Sequence, residues 1–147
     1  MKIKYVRDLM LLGASVVTNN ENEMSEDNAK ITQLWEDYTD QHIHTKTLNK
    51  VSNSSLYGVY SNYTSDDKGD YTVTVACEVS KPKNAIVIKE EKYLVFTKEG
   101  ELPDIVFETW KEIWAYFETS TEHERKYTID FEKYSSKDKI EIYISVK

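Results

Sequence analysis

Between Tyr71 and Val79 the chain reads Tyr-Thr-Val-Thr-Val-Ala-Cys-Glu-Val, a pattern that only a period of two explains. Tyr71, Val73, Val75, Cys77 and Val79 fall on one face and Thr72, Thr74, Ala76 and Glu78 on the other, the alternation of an extended strand. Leu56-Tyr57-Gly58-Val59-Tyr60 reads as a second strand. The intervening Ser65-Asp66-Asp67-Lys68-Gly69-Asp70 is built from residues that tolerate unusual backbone angles, so the two strands form a hairpin.

Around that hairpin the other segments fall into a tandem order. Residues Ile3 to Val17 predict strand, with Gly13 as a bend or bulge. Ile31, Leu34, Trp35 and Tyr38 stand at i, i+3, i+4 and i+7, which places them on one face of a helix expected over Met24 to Tyr38 and capped by Asn22 or Ser25. After the Lys81-Pro82-Lys83-Asn84 break, Tyr93-Leu94-Val95-Phe96 is a strand. A second helix starts near Pro103 and Asp104 and carries Val106, Trp110, Ile113, Trp114 and Phe117 at helical intervals. A closing hairpin pairs Tyr127–Tyr134 with Lys139–Val146 across Ser135-Ser136-Lys137-Asp138. The order strand, helix, strand, strand therefore occurs twice, over about residues 1–80 and 85–147. It predicts an α+β fold with one antiparallel sheet, two helices on one face and a cleft at the seam between the repeats.

With 147 residues the expectation is one domain. Aromatic residues at 12% argue against disorder, while 19 basic against 26 acidic residues, a net charge of −7, disfavour nucleic acid as a direct partner. The apolar run from Leu9 to Val17 is too short to span a bilayer and no cleavage site follows it, so no membrane role is expected and a cytoplasmic location is. Cys77 is the single cysteine, which excludes an internal disulfide. It shares a face with Val75 and Val79 and reads as a buried, inert thiol. His42, His44 and His123 lack metal-ligand spacing, and no glycine-rich phosphate loop or serine elbow is present, so neither a metal nor a cofactor is expected.

The closing hairpin carries the one acid that stands out. Glu132 lies between Phe131 and Lys133 on the same strand face as Asp130 and Tyr134. Such an acid is either solvated, or paired with Arg125, or held in a pocket where it recognises something.

Taken in order, Ile31–Trp35, Tyr57-Gly58-Val59-Tyr60, Tyr71-Thr72-Val73-Thr74-Val75, Tyr93-Leu94-Val95-Phe96, Trp110 with Ile113, and Tyr127–Tyr134 before Ile142-Tyr143-Ile144 resemble the gyrase-inhibitor-like (GyrI-like) small-molecule-binding domain. This is also the effector-binding domain of AraC-type and multidrug-responsive transcription activators. The resemblance covers essentially the whole chain. It implies the tandem fold above, with a ligand cleft between the repeats, and a buried glutamate facing cationic, often aromatic, ligands. That glutamate matches Glu132; the pocket tyrosines match Tyr57 and Tyr71, Trp110 is matched through its helix, and Tyr143 either reaches the pocket or lies in solvent. Trp35 and Trp114 are read as core. Ala76 and Ser145 stand where many relatives have glycine and proline. No helix-turn-helix is read in the sequence, so this chain alone is not expected to read an operator.

The resulting expectation is a stand-alone bacterial effector-binding protein for a cationic or aromatic organic molecule, acting in transcription regulation, sensing or detoxification. An alternative is a hydrolase of electrophilic small molecules with Glu132 as general base; another is a protein-binding module of the gyrase-inhibitor type.

Overall fold

The computed structural model describes residues 1–147. Its elements are β1 (Lys2–Thr18), α1 (Asn20–Glu23), α2 (Ile31–Asp40), α3 (Ile43–Lys46), β2 (Leu56–Ser61), β3 (Tyr71–Glu78), β4 (Ile86–Glu99), α4 (Asp104–Thr119), β5 (Asp130–Ser136) and β6 (Lys139–Ser145). The fold is α+β, all strand pairs are antiparallel, and the strands run β1-β3-β2-β5-β6-β4 with β4 returning to β1, so the sheet closes into a barrel. The strand order reads alike from either repeat. β1 meets β4 on one side of the ring, and β2 meets β5 on the other.

The two faces of the strands carry different cores. On the helix-bearing face, Leu34 and Tyr38 of α2 and Ile105, Trp110 and Ile113 of α4 pack against Val73, Val75, Ile142 and Ile144. On the opposite face, Leu11, Tyr57, Val59, Tyr93, Phe131 and Tyr143 form a second cluster. Strict alternation along β2, β3 and β5 assigns each side chain to one or the other.

Three local features depart from the sequence reading. β1 continues through Gly13 without a bend, pairing it with Ala76. A Cβ at Gly13 would lie 1.7 Å from the Val75 carbonyl oxygen, so the glycine serves close backbone approach. The first long helix begins at Ile31, because Met24 terminates the short α1 that Asn19 caps. The Glu23 carboxylate then accepts hydrogen bonds from the backbone N–H groups of Lys30 (2.9 Å) and Ile31 (3.2 Å), so two donors at the head of α2 are satisfied from outside the helix. Finally, the strand expected from Tyr127 starts at Asp130; Tyr127 itself has a left-handed backbone, φ 55°.

Candidate functional site

β2 and β5 form one of the two seams between the repeats, flanked by α2, which packs on β1 and β3, and by α4, which packs on β4 and β6. Between β2, β5, α2 and α4 lies a cavity of about 960 Å³. Trp35 of α2, Tyr60 of β2, Tyr71 of β3, Trp110 and Trp114 of α4 and Tyr134 of β5 give it an aromatic wall, and Glu132 stands among them. Two apolar side chains that line it, Met24 and Phe107, remain largely exposed.

Glu132 is 2% exposed, and both its oxygens are held. Oε2 accepts hydrogen bonds from the Tyr60 hydroxyl (2.8 Å) and the Trp110 indole N–H (2.7 Å), while Oε1 accepts one from the Tyr134 hydroxyl (2.7 Å). All three donors are neutral. Burial raises the carboxyl above its ordinary value of 4.5, and the bonds from Trp110, Tyr134 and Tyr60 pull it back only in part. Burial and then the Glu132 charge raise the Tyr60 and Tyr134 phenols well above their usual range, so both stay protonated and remain donors. The aromatic rings brace one another: Tyr60 is edge-on to Trp110 (centroids 5.1 Å) and to Tyr71 (5.5 Å), and Trp35 is edge-on to Tyr134 (5.3 Å).

Two residues along β5, a second acid is arranged differently. Asp130 is fully buried; its Oδ1 accepts from the Ser145 backbone N–H (2.7 Å) and hydroxyl (3.0 Å), and its Oδ2 from Arg125 (2.8 Å) and the Tyr63 hydroxyl (2.7 Å). Arg125 is therefore the partner of Asp130, not of Glu132, and its guanidinium lies 4.3 Å from the Tyr127 ring centroid.

Of the residues singled out from the sequence, Glu132, Trp110 and Tyr71 come together on the cavity, and Tyr57 and Tyr143 do not. Tyr57 pairs across the sheet with Lys133, one residue out of phase with Gly58, which stands opposite Glu132. Its ring therefore points to the other face, edge-on to Phe131 (5.8 Å). Tyr143 neither reaches the cavity nor lies in solvent: it is 5% exposed and stacks on Phe131 at 4.4 Å. The tyrosines that contact Glu132 are Tyr60 and Tyr134. Tyr134 shares strand parity with Glu132; Tyr60 is found only through the Gly58–Glu132 register. Trp35 and Trp114, read as core, pack on the core and line the cavity at once.

The comparisons with known proteins converge on this architecture. An integron cassette protein from the mobile metagenome of Vibrio cholerae superposes with a TM-score of 0.88 at 33% identity, over 99% of this chain and 95% of that one. A protein solved in complex with tetraphenylphosphonium, SAV2435, shares the fold at 19% identity with a TM-score of 0.79, over 99% of this chain and 93% of its own. YobU of Bacillus subtilis (strain 168), described as a candidate transcriptional regulator, is 31% identical over 148 residues, covering 92% of this chain and 90% of that protein. The family model of integron-associated effector binding proteins matches residues 2–146, and the chain belongs to that family, with the gyrase-inhibitor-like fold of regulator effector-binding domains.

Proposed function

We propose that the chain is a single effector-binding domain whose cavity takes a lipophilic organic cation, in the service of transcription regulation, sensing or detoxification. The observation that carries this reading is the environment of Glu132: a buried carboxylate at an aromatic cavity, bonded only to neutral donors. A buried charge without a counter-charge is costly, and a bound cation removes that cost. The rest of the lining has the same sign. Glu23, Glu36, Asp67 and Asp104 join Glu132 against Arg125 and Lys137, and Arg125 is already paired with Asp130. Each aromatic face adds a cation–π attraction of about 0.5–2 kcal/mol, depending on desolvation.

The same geometry favours binding over general-base catalysis. A general base must reach the proton it abstracts, whereas Glu132 is buried and already accepts three hydrogen bonds, which hold it in place and leave about one acceptor position, on Oε1, free.

Tetraphenylphosphonium, the ligand of the fold neighbour SAV2435, is the natural first probe. Titration calorimetry of the wild type should show saturable binding, and Glu132→Gln should weaken it by about tenfold or more, the equivalent of about 1.4 kcal/mol. A neutral aromatic control, triphenylphosphine oxide, should be affected much less. Equal losses for both compounds would refute charge recognition.

A further inference from the structure

We propose that Gly58 is the positioning residue of the site: its bare Cα is the bed on which the Glu132 carboxylate lies, and any side chain there misplaces the charge that faces the effector. The binding arm of this inference rests on the cation reading above; the positional arm does not.

Gly58 stands in the middle of β2, bonded on one side to β3 opposite Val75 and on the other to β5 opposite Glu132. Glycine weakens a strand, and it is ordinarily found in one where the backbone turns left-handed or something approaches closely. The first cause is absent, since the positive-φ glycine of this chain is Gly100. The second is present. A Cβ built on Gly58 would lie 2.5 Å from Glu132 Oε1, 3.4 Å from Glu132 Cδ and 3.4 Å from Cζ2 of Trp35. At 2.5 Å something has to move. A free carboxylate would swing aside, but this one is tied by Tyr134 at Oε1 and by Tyr60 and Trp110 at Oε2. The oxygen nearest position 58 is the one that Tyr134 holds, so a methyl group there breaks the Tyr134 bond first.

Position 58 is also where three elements converge: the backbone of the first repeat, the acid of the second, and the indole of α2. A side chain at that point acts on the charge and on one wall of the cavity together.

Two measurements decide the matter. In the first, thermal unfolding of Gly58→Ala is compared in three backgrounds. We expect a clear drop in Tm with Glu132 present, a smaller one with Glu132→Asp, whose shorter side chain retracts from the slot, and none with Glu132→Ala. The same drop in all three backgrounds would overturn the proposal, because it would mean that β2 itself rejects a side chain. Failure of Gly58→Ala to fold beside Glu132, with folding restored by Glu132→Asp, would support it equally.

In the second, tetraphenylphosphonium affinity is measured for Gly58→Ala, Tyr134→Phe and the double variant. We expect Gly58→Ala to weaken binding by about tenfold, triphenylphosphine oxide to be affected less, and Tyr134→Phe to add nothing on top of Gly58→Ala. Additive losses, or equal losses for the cation and the neutral compound, would overturn the positioning role. Absence of tetraphenylphosphonium binding by the wild type would overturn the cation reading alone, and the unfolding comparison would still decide the role of Gly58.

Discussion

Asp130 and Glu132 are two buried carboxylates on one face of one strand, and their surroundings are opposite. Asp130 receives a guanidinium, a hydroxyl from serine, a phenol and a backbone N–H. Glu132 receives two phenols and an indole. The first acid is complete within the protein, and its role is to fasten the segment before β5 to the end of β6. The second has its hydrogen bonds but no positive charge, and the empty side of its environment is the cavity. Burial alone therefore does not mark a recognition residue; on the proposed reading, what distinguishes Glu132 is the counter-charge left to a ligand.

The sharpest way to break this contrast is Asp130→Ala. Removing it strands Arg125 without an anion in a buried site, and the expected loss is about 3–5 kcal/mol in chemical denaturation. Glu132→Gln strands no charge and should cost about 1 kcal/mol or less. Similar losses for the two variants would show that both acids are structural.

A smaller effect comes from pH. The folded protein holds the Glu132 proton more tightly than the unfolded chain does, since burial raises the carboxyl above 4.5. Between 4.5 and the folded value the native state carries the extra proton, so this contribution to stability is full below the window, falls as pH rises through it, and is absent above it. The slope is at most about 1.4 kcal/mol per pH unit, and Glu132→Gln should remove it. Affinity for tetraphenylphosphonium has the opposite sign and should rise through the same window, because the cation favours the ionised form. A flat affinity profile would detach Glu132 from binding.

The smallest effect expected is that of Tyr57→Phe. Tyr57 lies on the far face of β2, so tetraphenylphosphonium affinity should be unchanged and stability should move by no more than about 0.5 kcal/mol. A measurable loss of affinity would place the effector on the wrong side of the sheet.

That last position shows where the sequence stops being readable. Periodicity and spacing are local properties, and they locate the β2–β3 hairpin, the apolar stripe of α4 and the closing hairpin. Which tyrosine of β2 faces Glu132 depends on the pairing of β2 with β5, two strands separated by about half the chain, and a one-residue change of register exchanges Tyr57 for Tyr60. Both residues are aromatic, so composition cannot decide between them. The Glu23 cap escaped for a related reason: its carboxylate serves donors seven and eight residues onward, beyond the reach of ordinary capping patterns. Arg125 precedes Asp130 by five residues and Glu132 by seven, a difference that does not choose between them in sequence; only the fold assigns it to Asp130.

The closure of the sheet also limits how this protein can meet another macromolecule. At the cavity seam β2 lies between β3 and β5 and β5 between β2 and β6, whereas β1 is divided, Lys2–Leu11 pairing with β4 and Leu11–Thr18 with β3. An open sheet offers a row of unsatisfied amides to which a passing chain can zip, productively or as an aggregate. The seam of β2 and β5 withholds that invitation, while Lys2–Met10 of β1 and Ile86–Lys92 of β4, each with a strand partner on one side only, lie away from it. At that seam a partner that responds to the effector has to read side chains and helix surfaces, and the helices that present them, α2 and α4, are the same two that form the walls of the cavity.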